Sequence, residues 1–400
     1  MGIVRTSLLT ALIVSAGPGS IRIAAQSSAP GVNSGIWVRP GYELTIAVSS
    51  DLRARHMALG PDGTLYYTTT PDNVIMAAKD KNNDGYYETL TRFYTSENTV
   101  YSVAWYDGYL WYTENGAIYK LRDKDNDGVA DERATVMPPG SLPSGGGHAW
   151  RPVLIYKGRF YTGIGDPGNV TDASETEREK IWSFNLEGKD KKLWSSGIRN
   201  TEKLVVRPGT DEIWGMDHGS DWFGGALGDK RGRQPITDNN PPDEMNKYIE
   251  GGFYGHPFIV GNRIPRYEYM KRPDIIDLAA KTIVPEWCTG AHWAPNAMMF
   301  YTGDQYPPET KGDAFVAYHG SWNSSVKVGY QVTRVLFENG TPYGELPYVR
   351  FLTPGQKVLG RPVDVIQAPD GTLLISDDGN ETADGYRMNN IYRLKYIGKK

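Results

Sequence analysis

Six times along the chain an apolar run meets a tight polar turn and then turns apolar again. The first copy reads Met57-Ala58-Leu59, Gly60-Pro61-Asp62-Gly63, then Leu65-Tyr66-Tyr67. Later copies span Val103 to Tyr112, Val153 to Tyr161, Leu204 to Trp214, Met298 to Tyr318 (with a longer connection) and Val363 to Ile375. Asp-Gly and Pro-Asp-Gly supply the positive φ and preset turn geometry that a hairpin needs. Further strand-like runs precede polar turns at Lys180 to Leu186, Tyr330 to Leu336 and Asn390 to Lys395. Two nearly identical acidic loops, Asp80-Lys81-Asn82-Asn83-Asp84-Gly85 and Asp123-Lys124-Asp125-Asn126-Asp127-Gly128, lie 43 residues apart. A period of about 40–50 residues built from short strands is the length of a propeller blade. The pattern predicts an all-β fold, a six-bladed β-propeller of four-stranded antiparallel blades. A pair of β-sandwiches is the alternative.

Composition agrees with short strands and many turns: 26 Tyr, 11 Trp, 46 Gly and 26 Pro, with few long amphipathic runs. One repeat array can absorb all 400 residues. The net charge of −4 comes without a basic stripe, which argues against nucleic acid. Residues 1–25 read as a secretion signal: Arg5, an apolar run from Ser7 to Val14, then small residues to Ala24-Ala25. That run is too short to span a bilayer, so a secreted or periplasmic protein is expected. Cys288 has no partner for an intramolecular disulfide. Sequons at Asn169, Asn323, Asn339 and Asn380 matter only in a glycosylating host. Residues 26–39 read as a linker and 40–400 as the propeller. The stretch 217–292, rich in Asp, Asn, Pro and Gly, reads as a long functional insertion.

In a propeller, residues just before each innermost strand and just after each second strand emerge on one face. Before the inner strands stand Arg55-His56, Tyr101-Ser102, His148, Arg199-Asn200, His292 and Arg361. After the returning strands stand Glu114-Asn115, Asp166-Pro167-Gly168, His218 within Asp217 to Asp221, His319 within His319 to Asn323, and Asp377-Asp378-Gly379. Five of the six histidines fall in this set; the sixth, His256, lies in the insertion. Any one of them could be an ordinary hydrogen-bonded loop histidine, but together they predict one cavity rimmed by His, Arg, Asn and Trp. Several arginines around one hole suit a polyanionic ligand. A neutral histidine in Ser144-Gly145-Gly146-Gly147-His148 can act as a general base near neutral pH. No nucleophile elbow, phosphate loop or HExxH sequence is present.

At these residues the chain resembles the soluble glucose/sorbosone dehydrogenases, six-bladed propellers that bind pyrroloquinoline quinone (PQQ) with calcium. The sorbosone and pyranose dehydrogenase branch is the nearest in pattern. The matching pieces are Gly145 to His148, Gly197-Ile198-Arg199-Asn200, His218 to Asp221, and Pro242-Asp243-Glu244-Met245-Asn246. They continue with Phe253-Tyr254-Gly255-His256-Pro257, His292-Trp293-Ala294-Pro295, His319 to Asn323, and Gly360-Arg361-Pro362-Val363-Asp364. The resemblance implies that His148 takes a hydroxyl proton from a sugar while hydride passes to the quinone. It implies that Arg199 polarises the reacting quinone carbonyl, and that Asn200 and Arg361 hold the cofactor. Arg55, His292, Trp322 and Lys327 would be further cofactor neighbours. The carbonyls of Gly219 and Ser220, with the carboxylate of Asp221, would hold the cofactor calcium. The substrate would be a sugar or sugar aldehyde, and the electron acceptor a cytochrome or quinone. Two departures leave the substrate open. Gly147 stands where glucose-oxidising members carry an acidic residue, and Val363 where they carry a second arginine beside Arg361.

The acidic loops carry oxygen ligands at positions 1, 3 and 5: Asp80, Asn82 and Asp84, then Asp123, Asp125 and Asp127. Each has Gly at position 6, with Glu88 or Asp131 at position 9. Neither has Glu at position 12, so each is either a structural calcium loop or a self-bonded Asx turn. Two other functions are open from the sequence. One is a metal-dependent lactonase-type hydrolase, which would want converging acidic ligands. The other is a non-catalytic propeller that binds a glycan or protein through its aromatic residues.

Overall fold

The computed structural model describes residues 30–70, 72–223, 234–379 and 389–398. The segment read as a secretion signal and Asn380 lie outside them. Among the described residues, six sheets of four or five strands form the blades, and a two-stranded ribbon lies apart. Blade 1 comprises Ala54–Leu59, Leu65–Thr69, Val74–Lys79 and Thr89–Thr95; blade 2 comprises Val103–Tyr106, Tyr109–Glu114, Ala117–Arg122 and Glu132–Met137. Blade 3 begins at Leu154–Tyr156, blade 4 at Leu204–Val206, blade 5 at Pro295–Phe300 and blade 6 at Pro362–Gln367. These six innermost strands contact one another in a closed ring.

Burial explains the strand sequences. A second strand such as Leu65–Thr69 is buried at every position because both of its faces meet neighbouring blades. An outer strand such as Glu132–Met137 alternates, with one face towards water. The core is therefore divided among the six blade interfaces. Tyr66, Ile75 and Phe93 of blade 1 pack with Leu110 and Tyr112 of blade 2, and Trp214 of blade 4 packs with Met298 and Phe300 of blade 5. Tight turns follow the sequence signal. Asp107 and Gly108 have φ of 48° and 76°, the two positive values that a type I′ hairpin needs between Tyr106 and Tyr109.

Ring closure was not legible as a repeat. Tyr42–Ser49 forms the outermost strand of blade 6, antiparallel to Asn390–Tyr396, so both ends of the propeller share one sheet. Ile46, 3% exposed, packs from this strand into the interface of blades 5 and 6. Ile46→Ala is expected to cost about 2–4 kcal/mol by chemical denaturation, whereas Ile397→Ala, at an exposed position, should cost little.

Two boundaries differ from the sequence reading. The stretch 217–292 is only partly insertion, since Glu244–Tyr248 and Trp287–Cys288 are the third and fourth strands of blade 4. Glu-Met-Asn-Lys-Tyr buries Asn246 and lacks clean apolar alternation, which hid the strand. Gly252–Phe253 adds a parallel fifth strand to blade 3, and the ribbon Ile259–Val260/Ile264–Pro265 packs near the helix Ile275–Lys281. At the other boundary, Trp37–Val38 leaves the linker to pair with Arg350 and Val349 of blade 5.

Both acidic loops join third and fourth strands. Asp84 N donates to Asn82 Oδ1 at 3.1 Å, and Asp127 N donates to Asp125 Oδ1 at 3.1 Å, the bonding of Asx turns. In the second loop Asp123, Asp125 and Asp131 each place one ligand atom within 4.8 Å of the others.

Candidate active site

Where the strand ends converge on the axis lies a cavity of about 400 Å³, within the usual range of small-molecule sites. Arg55, His148, Arg199, Asn200, Gly219, Asp221, His292, Trp322 and Arg361 all line it. Ser220 stands one layer back, its hydroxyl accepting Arg266 Nη1 at 2.7 Å and donating to the Trp222 carbonyl at 2.9 Å. Lys327 is not part of the lining. Ser321 N bonds Val328 O at 2.9 Å, which closes that loop, and Lys327 Nζ donates to the Gln356 carbonyl at 3.0 Å. His218 and His319 line the cavity as well. His56 does not; it stands one residue further along the innermost strand of blade 1 than Arg55 and borders a second cavity.

His148 is positioned by close backbone approach. Gly147 N donates to Pro167 O at 2.7 Å, and a Cβ on Gly146 (φ 83°) would fall 2.8 Å from Pro167 Cα. His148 Nδ1 lies 2.8 Å from the carbonyl oxygen of Asp166. A carbonyl only accepts, so Nδ1 carries the proton and Nε2 keeps the lone pair. Burial, then the charge of Arg199, pushes the His148 pKa down to about 3, so the ring is neutral at ordinary pH.

Arg199 and Asn200 follow a strand end pinned by Asp217, whose carboxylate accepts Arg199 N at 2.9 Å and Asn200 N at 2.6 Å. The Arg199 side chain is itself fixed. Nε donates to Asn169 O at 2.9 Å, and Nη2 donates to Asn169 Oδ1 at 2.8 Å and Asp221 Oδ1 at 3.1 Å. Asn200 Nδ2 reaches His218 Nδ1 at 3.3 Å, while His218 Nε2 donates to Pro295 O at 3.0 Å. His292 Nε2 donates to Thr237 O at 2.5 Å.

The three arginines differ in how far their charge is spent. Arg55 is held by Glu202 at 3.0 Å and Asp378 at 2.8 Å, and lies 3.9 Å from the centre of the Trp150 ring. Arg361 donates to the carbonyls of His319 and Gly320 at 3.2 and 2.9 Å and has no carboxylate partner among the described residues. Of the three, Arg361 is the one that no carboxylate bonds directly.

Sequence reading missed Trp150, Glu202, Asp243 and Asn296 in the lining. Trp150 and Glu202 stand two residues beyond His148 and Asn200, the spacing that shares a face in extended chain. Asp243 was within reach, since it lies in the Pro242-Asp243-Glu244 run. It accepts Gly219 N at 2.7 Å and Ala294 N at 2.9 Å, tying two rim segments together.

Burial pushes the pKa of Asp243, Glu244 and Asp377 up to about 7, and that of Glu179 to about 8. For a raised carboxyl, the folded state holds a proton that the unfolded chain has released. That stability is fully present below the unfolded pKa and is lost as pH rises through the folded value. Between pH 6.5 and 8.5 the cofactor-free protein should therefore lose about a few degrees of melting temperature, measurable by differential scanning calorimetry.

A family model, described as TrAA12-like, matches residues 37–356. The fold and this site thus define a six-bladed propeller with one axial cavity. The chain belongs to the TrAA12-like family of PQQ-dependent oxidoreductases. Among solved structures, the Trichoderma reesei carbohydrate-active enzyme of family AA12 is similar, with a TM-score of 0.77 at 16% identity, covering 93% of this chain and 100% of that one. The PQQ domain of Coprinopsis cinerea pyranose dehydrogenase gives 0.76 at 15% identity, with 93% and 100% coverage. The soluble aldose sugar dehydrogenase of Escherichia coli gives 0.65 at 17% identity, with 89% and 99% coverage. At such identities these likenesses show the fold. An uncharacterized protein of Borreliella burgdorferi is 32% identical over 244 residues, 60% of this chain and 57% of that protein. Another, from Synechocystis, is 28% identical over 193 residues, 47% of this chain and 37% of that protein. The chain thus spans less than two thirds of the curated relatives it matches.

The donor chemistry of the cavity fits the family's cofactor. Arg361 is a cation without a carboxylate partner, suited to a cofactor carboxylate. Gly219 and Asp221 lie in the lining, and Asp221 brings a carboxylate, the donor type that a hard cation such as calcium takes.

Proposed function

We propose that this protein oxidises a sugar or sugar-derived alcohol or aldehyde at the axial cavity, with PQQ and calcium as cofactors. The observation that carries this reading is His148, neutral, with its lone pair on Nε2 beside Arg199 at one wall of the cavity. When bound, PQQ supplies a carbonyl able to accept hydride, and calcium acts as a Lewis acid on it. Gly219, Ser220 and Asp221 would hold the calcium, while Arg361 and Asn200 would hold the quinone. His148 Nε2 takes the substrate hydroxyl proton, and the Asp166 carbonyl keeps the ring in the tautomer that can do so. Arg199, anchored by Asn169 and Asp221, places fixed positive charge where negative charge develops.

Trp322, 64% exposed, stands at the cavity mouth with its ring 5.7 Å from Trp222 and at 80° to it. That pair offers an apolar face on which a sugar ring can stack. Export to the periplasm or beyond, and electron transfer to a cytochrome or quinone, complete the proposal. The test is dye reduction by protein reconstituted with PQQ and calcium, across a panel of aldoses, sugar aldehydes and polyols. Turnover with at least one sugar class is expected. Binding of the cofactor with no turnover on any member would reject the sugar reading.

A further inference from the structure

Behind the wall made by His148 and Arg199 lie three buried side chains that the proposed chemistry does not use. Asp166 is 0% exposed, Glu179 1% and His256 7%. One ligand atom of each lies within 4.8 Å of the other two. Asp166 is well supplied with donors: Gly168 N at 2.6 Å, Thr171 N at 2.8 Å and His256 Nε2 at 2.8 Å. Glu179 is not. Its Oε1 accepts Ala173 N at 3.1 Å, but its Oε2 is buried and meets no hydrogen-bond partner.

A buried carboxyl oxygen without a partner is rare and costly, whether the group keeps its proton or gives it up beside a second carboxylate. The Asp166–His256 contact satisfies those two side chains and leaves Glu179 Oε2 without a partner. We propose that Asp166, Glu179 and His256 form a buried site for one divalent cation of the zinc or manganese class. Two carboxylates balance a 2+ ion, and a neutral imidazole supplies the third ligand. Calcium is disfavoured because it takes oxygen ligands, whereas one donor here is nitrogen. The ligand atoms must draw together to reach metal-bond distances, and the side chain of Glu179 has the free oxygen with which to do so.

The cation would clamp the loop that fixes both site residues. The Asp166 carbonyl accepts His148 Nδ1, and Asn169, three residues further on, holds the Arg199 guanidinium. This site is separate from the calcium donors at Gly219 to Asp221, and it stands whatever substrate the cavity takes.

The test uses the full chain, stripped with chelator and kept free of PQQ. It is dialysed against micromolar zinc in excess calcium, and bound zinc is counted by mass spectrometry. The wild-type protein should hold one zinc equivalent more than Glu179→Gln and His256→Gln, and zinc should raise its melting temperature but not theirs. X-ray absorption on the zinc-loaded wild-type protein needs no substitution and should report one imidazole nitrogen among oxygen ligands. Equal zinc counts in wild type and both variants would overturn the proposal. So would a zinc shell of several histidines, which would place the ion in the axial cavity. A third contrary result is Glu179→Gln stabilising the metal-free protein with the zinc count unchanged, which would make the trio a proton-sharing group.

Discussion

His148→Ala is expected to lower kcat by about 10²–10⁴-fold, the usual worth of a positioned general base, while PQQ affinity changes little. The ring is held by one bond, from Nδ1 to the Asp166 carbonyl, and that bond leaves Nε2 as the acceptor. His148→Gln keeps a polar side chain but offers no comparable base, so it should be nearly as slow. The acid side of the rate profile adds a second check. Burial and Arg199 hold His148 well below the ordinary histidine value, so the active neutral form persists as pH falls. The acid limb of kcat/KM should therefore lie below about 6.5, the ordinary histidine value. Stopped-flow and steady-state assays on the reconstituted protein read both effects; unchanged kcat in His148→Ala would remove this residue from the chemistry.

Arg199→Lys should cost about 10²–10³-fold in kcat, comparable to losing a preorganised donor to developing charge. The substitution keeps the positive charge, yet it cannot keep the geometry. Arg199 donates from Nε and Nη2 to Asn169 and from Nη2 again to Asp221, and an ammonium cannot reproduce that planar fork. The loss should fall mainly on kcat, with KM for sugar changing less, and steady-state kinetics separate the two. Arg55 offers a contrast. It is already neutralised by Glu202 and Asp378, so Arg55→Lys should act mainly through stability and the packing against Trp150.

Much of the fold could be read from local signals. Asp107-Gly108 demands two positive φ values, and no long-range information is needed to recognise the hairpin it makes. The closing strand Tyr42–Ser49 also alternates, but its partner Asn390–Tyr396 lies at the other end of the chain, and pattern alone does not name it. Glu244–Tyr248 was hidden because a strand carrying a buried Asn246 does not look apolar. At the site, topology did most of the work. Residues flanking the innermost strands must emerge near the axis, which brought together His148, Arg199, Asn200 and Arg361. Lys327 fell outside because its loop closes on itself through Ser321 and Val328, a contact no spacing announces. His56 fell outside the cavity because it stands one residue further along the innermost strand of blade 1 than Arg55, and neighbours in a strand point to opposite sides. The open alternatives from the sequence can now be weighed on the lining. A lactonase-type metal site would want several acidic ligands converging at the centre, and here Glu202 is engaged by Arg55 while Asp243 is held by the Gly219 and Ala294 amides.

The central claim is that the axial cavity binds a quinone carrying several carboxylates, with calcium, between Arg361 and the Gly219 to Asp221 segment. An equilibrium titration of the cofactor-free protein with PQQ, in the presence and absence of calcium, tests it most directly. One saturable, calcium-dependent site per chain is expected, weakened at least tenfold (about 1.4 kcal/mol) in Arg361→Ala. Absence of saturable PQQ binding at micromolar concentration with calcium present would contradict the account.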